Sequence, residues 1–405
     1  MAYLGGRPAR TAVTSAQITD GVVTAAKLAT NSVTTVKIAA ANVTTAKITD
    51  ANVTTAKLAA SSALVGKNLV QNGAMTIAQR GTVTGLGAAN AYGLDRWAVV
   101  IANVASRVTI SQDTDTPAGY AFSQKIDCTT VDSSVATNDL MSVGCKVEGQ
   151  TTGLQNLLWG TSDAKTVTLS FWAKTDRSGG GNMSVSIQSA GTDYYATSVA
   201  ITSTWTKFTV VVPGSENTVT QNDNAGRLQV SFTLISGSTF IQTAETWTTS
   251  SAWAVSGQTN FMDNTANNVW FTGVQLEVGS VATDFEHEDI SVTLAKCQRY
   301  LEIAGGEADA LLAVAQCRTT TAADGVLKFR VKKRANPTGT VANATSFGVQ
   351  QAGGGGQTVT ALSVSLLNPY GCRLDITVAA NLAAGNATVL RTNAAGQKIT
   401  FSAEL

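Results

Sequence analysis

Between residues 13 and 60 large apolar side chains return every five positions, at Val23, Leu28, Val33, Ile38, Val43, Ile48, Val53 and Leu58. That spacing fits neither a 3.6-residue helix nor a long strand of period two. Aligned on valine, the chain reads VTSAQI from Val13, VTAAKL from Val23, VTTVKI from Val33, VTTAKI from Val43 and VTTAKL from Val53. Inside each unit the side chains alternate as a strand would, and the intervening TDG, ATN, AAN and TDA are turn formers. The pattern predicts one short extended segment and one turn per ten residues. With two modest apolar side chains per unit and no aromatic between Tyr3 and Tyr92, a single chain buries too little to offset its ordering entropy. Several parallel copies wound on one axis would turn Val and Ile/Leu inward and Thr and Lys outward, making a rigid shaft. An unstructured Ala/Thr linker is the alternative.

Beyond residue 68 the period changes. Alternating runs such as VTLSFWA from Val167 and KFTVVV from Lys207 lie between Gly, Asn, Asp and Ser clusters, and all seven tryptophans fall between Trp97 and Trp270. This predicts an antiparallel β-sandwich over 68–288. DISVTLAKCQRYLE then reads as a short helix or hinge. A smaller unit follows, with strand-like DALLAVAQCRT, GVLKFRVKKRANPTGTV, QTVTALSVSLL, CRLDITVAA and KITFSAEL. The fold class is all-β, in four parts: a terminal peptide, 1–12; a repeat shaft, 13–67; an antiparallel sandwich, 68–288; and a C-terminal β domain, 289–405.

Composition narrows the function. At 405 residues, 44% hydrophobic and 14% charged, the chain is globular in character, and its net charge of +1 gives no electrostatic footprint for nucleic acid or an anionic membrane. Lys plus Arg against Asp plus Glu runs 7 to 2 over 1–67, 10 to 18 over 68–288 and 11 to 7 over 289–405. Five cysteines without CxxC spacing suggest buried thiols rather than a zinc site or disulfide framework. No run of 18 apolar residues and no signal peptide is present, so the chain is expected to be made in a cytoplasm and not to enter a membrane. The single histidine, His287, sits among Glu286, Glu288 and Asp289, which disfavours a Ser-His-Asp triad or a multi-histidine metal site. A two-carboxylate glycosidase stays open on geometry alone. No dense acidic motif calls for calcium, and neither metal nor cofactor is expected.

The VTTAKI-type decapeptides resemble the shafts of bacteriophage tail fibres and head fibres, which are typically homotrimers. The following domain resembles the carbohydrate-binding-module-like jelly roll of phage tail proteins. The shared pattern is carried by Asn68, Asn72, Gly73, Gln79, Arg80 and Gly81; by Asp95, Arg96 and Trp97; by Ser170, Phe171, Trp172 and Lys174; and by Gln275, Leu276, Glu277, Gly279, Ala282, Thr283, Phe285 and Glu286. Asp284 stands where that family has proline, which is expected to loosen the exit from the sandwich. Cys297, Arg299 and Tyr300 match the CQRYY that follows the module. Phe329, Val331, Arg334, Pro337 and Thr338, with the ending FSAEL, are similar to the distal domain, although Lys332 and Lys333 replace expected apolar residues.

The resemblance implies a virion-located homotrimer: its N-terminus would dock on tail, portal or capsid, and its body would adhere to a host cell-surface glycan. A head fibre or decoration protein and a polysaccharide depolymerase are the alternatives. Trp97, Trp172, Trp205 and Trp270 read as core or sheet-packing residues, and Arg80 is expected to pair with Glu277 across the domain ends. The candidate sugar-contacting residues are Tyr194 and Tyr195 in GTDYYATS and Trp247 and Trp253 in ETWTTSSAW, because stacking on pyranose rings needs aromatic faces. Hydrophobic packing is the competing role for both pairs. AGGGGQ, 352–357, reads as a mobile contact loop or a permissive hairpin tip.

Overall fold

The computed structural model describes the chain from residue 66 onward except 88–90, 152, 191, 219–220 and 352–355, and of the first 65 residues only Ile18, Thr24 and Leu28. The docking peptide, the repeats and most of the glycine loop therefore lie outside the described residues. The chain divides into two compact units, Met1–Ser62 and Ala63–Leu405, and every described element belongs to the second.

That unit opens with a sandwich of two antiparallel sheets. One has six strands in the spatial order Val83–Leu86 (β1), Arg107–Asp113 (β4), Ser123–Thr130 (β5), Asn268–Val278 (β15), Val167–Thr175 (β7) and Thr206–Val212 (β10). The other has seven: Trp247–Thr248 (β13), Asp193–Ile201 (β9), Gly181–Ser189 (β8), Gly226–Ser236 (β11), Leu140–Glu148 (β6), Trp97–Ala102 (β3) and Ala91–Tyr92 (β2). Ile241–Gln242 (β12) and Ala254–Val255 (β14) form a small parallel pair. The period-two pattern explains the packing. In β7, Val167, Leu169, Phe171 and Ala173 enter the core, while Trp172 and Lys174 take the other face. The core centres on Phe232, which stacks near Trp97 (6.1 Å between rings), Phe171 (4.8 Å) and Phe271 (4.7 Å).

The segment 66–81 forms no strand before Val83 but straps the sheet end. Asn68 donates through Nδ2 to the Val274 carbonyl (3.1 Å), and its Oδ1 accepts from Val70 and Leu276 N–H. Gly73 is fixed by closeness: a Cβ there would lie 2.1 Å from the Val274 oxygen. At the exit, Lys67 Nζ donates to the Asp284 carbonyl (2.6 Å), as does Gln275 Nε2 (3.2 Å). The exit is thus tied down through the backbone carbonyl of residue 284, an acceptor that proline would offer equally.

Ile290–Gln298 forms the helix α1, N-capped by Asp289, whose carboxylate accepts from Ser291 N–H at 2.8 Å. Leu301–Gly305 (β16), Lys398–Ser402 (β24) and Thr338–Val341 (β19) make a three-stranded sheet. A closed barrel runs Leu311–Cys317 (β17), Ala322–Lys328 (β18), Gly371–Val378 (β22), Gln357–Asn368 (β21), Phe347–Gln351 (β20) and Ala387–Thr392 (β23). Its own core contains Phe347, Leu374, Ile376, Leu390 and Phe401. The long strand-like GVLKFRVKK stops at Lys328, and five residues further on Lys333 turns inward to an ion pair with Glu302. All five cysteines are buried and unpaired.

The two cores meet through buried charge. Glu404 receives Arg96 at 2.6 Å and Arg80 at 3.1 Å, with the Arg96 side chain 1% exposed. Arg96 also donates to Gln71 and to the Lys146 carbonyl and lies 3.5 Å over the Tyr300 ring. Glu148 accepts from Arg299 (2.8 and 2.5 Å) and from the Tyr300 hydroxyl (2.6 Å). The expected Arg80–Glu277 pair does not form. Arg80 instead reaches the far end of the chain, and Glu277 accepts from Thr283 and Gln275 within its own turn.

Asp95, also in this joint, accepts from the Gln79 backbone N–H and side-chain amide. Burial nevertheless pushes its carboxyl above the ordinary value. With the folded value above the unfolded one, the unfolded chain ionises first, so stability falls as pH rises through that interval. Asp95→Asn lacks this titration. Urea melts at stepped pH from about 4 upward are expected to show the variant gaining on the parent as pH rises.

Candidate functional site

Strand alternation also decides which side chains face away from the sandwich core. On the seven-stranded sheet this outer face carries Ser184, Ser186 and Gln188 from β8, Gln229 from β11, Lys146 from β6, Val100 from β3 and Tyr194 from β9. Segment 237–258 crosses part of it. Thr233 donates to the Trp253 carbonyl (2.8 Å), Val255 N–H donates to Ser184 Oγ (3.1 Å), and Gln258 Nε2 donates to the Thr233 carbonyl (2.9 Å). Under it a small apolar cluster forms from Leu140, Tyr194, Ala252 and Trp253, with Val100, Ala102 and Phe240 against it.

The uncovered part is a cleft of about 310 Å³ lined by Val100, Lys146, Gln188, Gln229, Trp253 and Leu405, with Gly226 and Leu228 at its floor. Gln229 Nε2 donates to Ser231 Oγ at 2.9 Å, whereas Gln188 Nε2 is buried with no partner. Such an orphaned donor costs about 1–3 kcal/mol unless something outside the chain accepts from it. Lys146 Nζ donates to the Leu405 carbonyl at 3.2 Å. Burial, and then the charges of Arg96 and Arg334, push the Lys146 ammonium below its ordinary value. Indole, two amides and an ammonium suit the recognition of hydroxyl-rich ligands. No carboxylate side chain or imidazole lines the cleft among the described residues.

The four predicted sugar-contacting residues gather around β9, but on opposite faces of the sheet. Tyr195 is 3% exposed in the main core, 5.5 Å from the Trp247 ring, which in turn packs edge-on to Trp159 at 5.3 Å. Trp247 Nε1 donates to the Pro213 carbonyl (3.0 Å). Tyr194 and Trp253 meet on the outer face with rings 6.2 Å apart, and of the four only Trp253 lines the cleft. Sequence reasoning missed Gln188, Gln229 and Lys146. The alternation in NMSVSIQS puts Ser186 and Gln188 on one face, yet that signal is the same for any solvated strand.

A second aromatic surface lies on the outer face of the six-stranded sheet. Of the four tryptophans read as core or sheet-packing, Trp97 lies in the core and Trp270, Trp172 and Trp205 pack on this outside face. Trp270 Nε1 donates to Asp113 (3.1 Å) and Trp205 Nε1 to Asp115 (2.9 Å). Lys174 stands 4.7 Å from the Trp270 ring centre and pairs with Asp115, holding that carboxyl below the usual range. These indole and charged groups satisfy one another, whereas the cleft is lined by a residue whose buried donor, Gln188 Nε2, has no partner. Among the described residues no cluster of His, Cys, Asp or Glu could hold a metal ion, and no helix is long and apolar enough to cross a membrane.

No protein-family model and no curated protein matches this chain. Among solved structures it is similar to a CBM4 structure at 18% identity, covering 52% of this chain and 99% of that one, with a TM-score of 0.27. It is also similar to the enzymatically active domain of tailspike protein 4 of bacteriophage CBA120 at 12% identity, with 53% and 22% coverage and a TM-score of 0.29. The CBM22-1-CBM22-2 tandem of Paenibacillus barcinonensis Xyn10C shows 9% identity, 84% and 97% coverage and a TM-score of 0.28. At these scores the likenesses decide neither fold nor ligand.

Proposed function

We propose that this chain is a structural fibre protein of a phage virion that attaches the particle to its host by holding a surface polysaccharide without cutting it. The observation that carries this reading is the cleft on the seven-stranded sheet, which Trp253, Gln188 and Gln229 line together and where the buried Nε2 of Gln188 has no partner within the chain. The lining offers hydrogen-bonding groups and an aromatic edge but no carboxylate pair, which supports binding over hydrolysis. The decapeptide repeats support a shaft of several parallel copies, a homotrimer by resemblance, with the N-terminus docked on tail, portal or capsid. Repetition of a weak site within a trimer and over several fibres raises attachment through effective concentration.

Gln188→Leu tests the site. Removing an orphaned amide is expected to leave thermal stability unchanged or raised, while losing one or two hydrogen bonds to sugar weakens binding about tenfold. Affinity electrophoresis through gels cast with host surface polysaccharide reads the binding, and sizing the recovered polymer reads any cleavage. A parent protein that ignores the polysaccharide, or a variant that binds it equally well, overturns the assignment.

A further inference from the structure

Strands that face solvent usually alternate apolar and polar residues, and β17 and β18 of the barrel break that rule. Val314 is 68% exposed, Val326 64% and Leu311 75%, although their neighbours Ala313, Ala315 and Leu327 already fill the barrel core. The ladder register pairs Ala315 with Gly325, which sets Val314 opposite Val326 one step along, and Val314 is paired with Val389 on its other side. One apolar row thus crosses three strands on the outside of the barrel.

We propose that this row is where copies of the chain meet one another. Its border favours a second copy over a foreign partner. Arg318 pairs with Asp324 at 2.9 Å and Arg373 with Asp375 at 2.7 Å, so most of the rim's charge is already paired and the exposed Lys328 beside Val326 is a single cation, too little to steer an oppositely charged protein strongly. Identical rims brought side by side meet mostly as neutral pairs. Its size points the same way. Four aliphatic side chains offer on the order of a few hundred Å², less than the ~800 Å² per partner of a stable free-standing interface. A face that small holds only a partner already tethered, and the repeats, which need other copies to bury their apolar residues, supply the tether through effective concentration. The inference rests on the multi-copy reading above and gives it a second point of contact.

The test uses the full chain carrying Val314→Cys. Because all five native cysteines are buried, the introduced thiol is the reactive one, and a short bis-maleimide joins it only to a thiol of another copy. Val281→Cys, at a site 55% exposed in the turn after β15, is the control, and light scattering gives the mass of each sample. The expected result is an oligomer in which Val314→Cys yields a doubled band on a denaturing gel and Val281→Cys stays at monomer mass. An oligomer without the Val314→Cys product, or with equal yields at both positions, overturns the barrel contact and leaves the multi-copy reading standing. A monomer overturns both.

Discussion

Glu404→Ala is expected to cost about 3–5 kcal/mol and to uncouple the barrel from the sandwich, because it strips the counter-charge from a buried cation. Arg96 is 1% exposed and donates to Glu404 at 2.6 Å; its remaining acceptors, Gln71 and the Lys146 carbonyl, carry no charge. Arg80 loses its partner at the same stroke. Burial, and then Arg96 and Arg334, already push the Lys146 ammonium down, so without Glu404 the joint holds like charges with less to offset them. Glu404→Gln separates charge from shape. It keeps an acceptor for Arg96 and is expected to lose most of the same free energy. The seven tryptophans all lie in the sandwich, so their fluorescence follows that domain while far-UV circular dichroism follows both. One shared urea transition in the parent and two in Glu404→Ala is the expected pattern. Coincident, unshifted transitions in the variant would show that the charge network does not join the domains.

The joint shows what the sequence made legible and what it hid. Period-two alternation in VTLSFWA and KFTVVV located real strands, and the concentration of tryptophan marked the larger core. Short strands with mixed patterns, such as β20 and β23, went unread, since their register is set by barrel closure and not by local propensity. Motif residues such as Arg96, Gln79 and Tyr300 were visible as a pattern, but a sequence does not show that Glu404 lies beside Arg96 across 308 positions. They turn out to bind the two domains to each other. The cleft was read only through Trp253. Its amides became visible when the fold showed which polar side chains share the outer face with Trp253, and that one of them, Gln188, loses water and gains no partner for its Nε2.

Lys333 is one of the two positions, with Lys332, where the expected residue was apolar, and the structure supplies the reason for its charge. Its side chain is fully buried, donates to Glu302 at 2.5 Å and to the Gln298 carbonyl, and sits 4.8 Å from the Phe329 ring centre. Burial pushes its ammonium below the ordinary value, while Glu302 opposes the shift. The pair links the end of α1 to the start of β16, so it fixes how the helix meets the barrel unit. Lys333→Met is expected to lose about 3–5 kcal/mol, most of it the penalty of leaving the Glu302 carboxylate buried and uncompensated. Neutralising the orphan as well should recover much of that loss. In the double variant Lys333→Met with Glu302→Gln, the amide oxygen still accepts from Arg330 N–H, which now reaches both carboxylate oxygens at 3.2 Å. Urea melts of the four proteins in this cycle give the coupling directly, with about 0.5–3 kcal/mol expected between the two sites. Additive losses would mean that Lys333 acts through its packing on Phe329 and its bond to Gln298, and that the ion pair itself contributes nothing to the seating of the barrel.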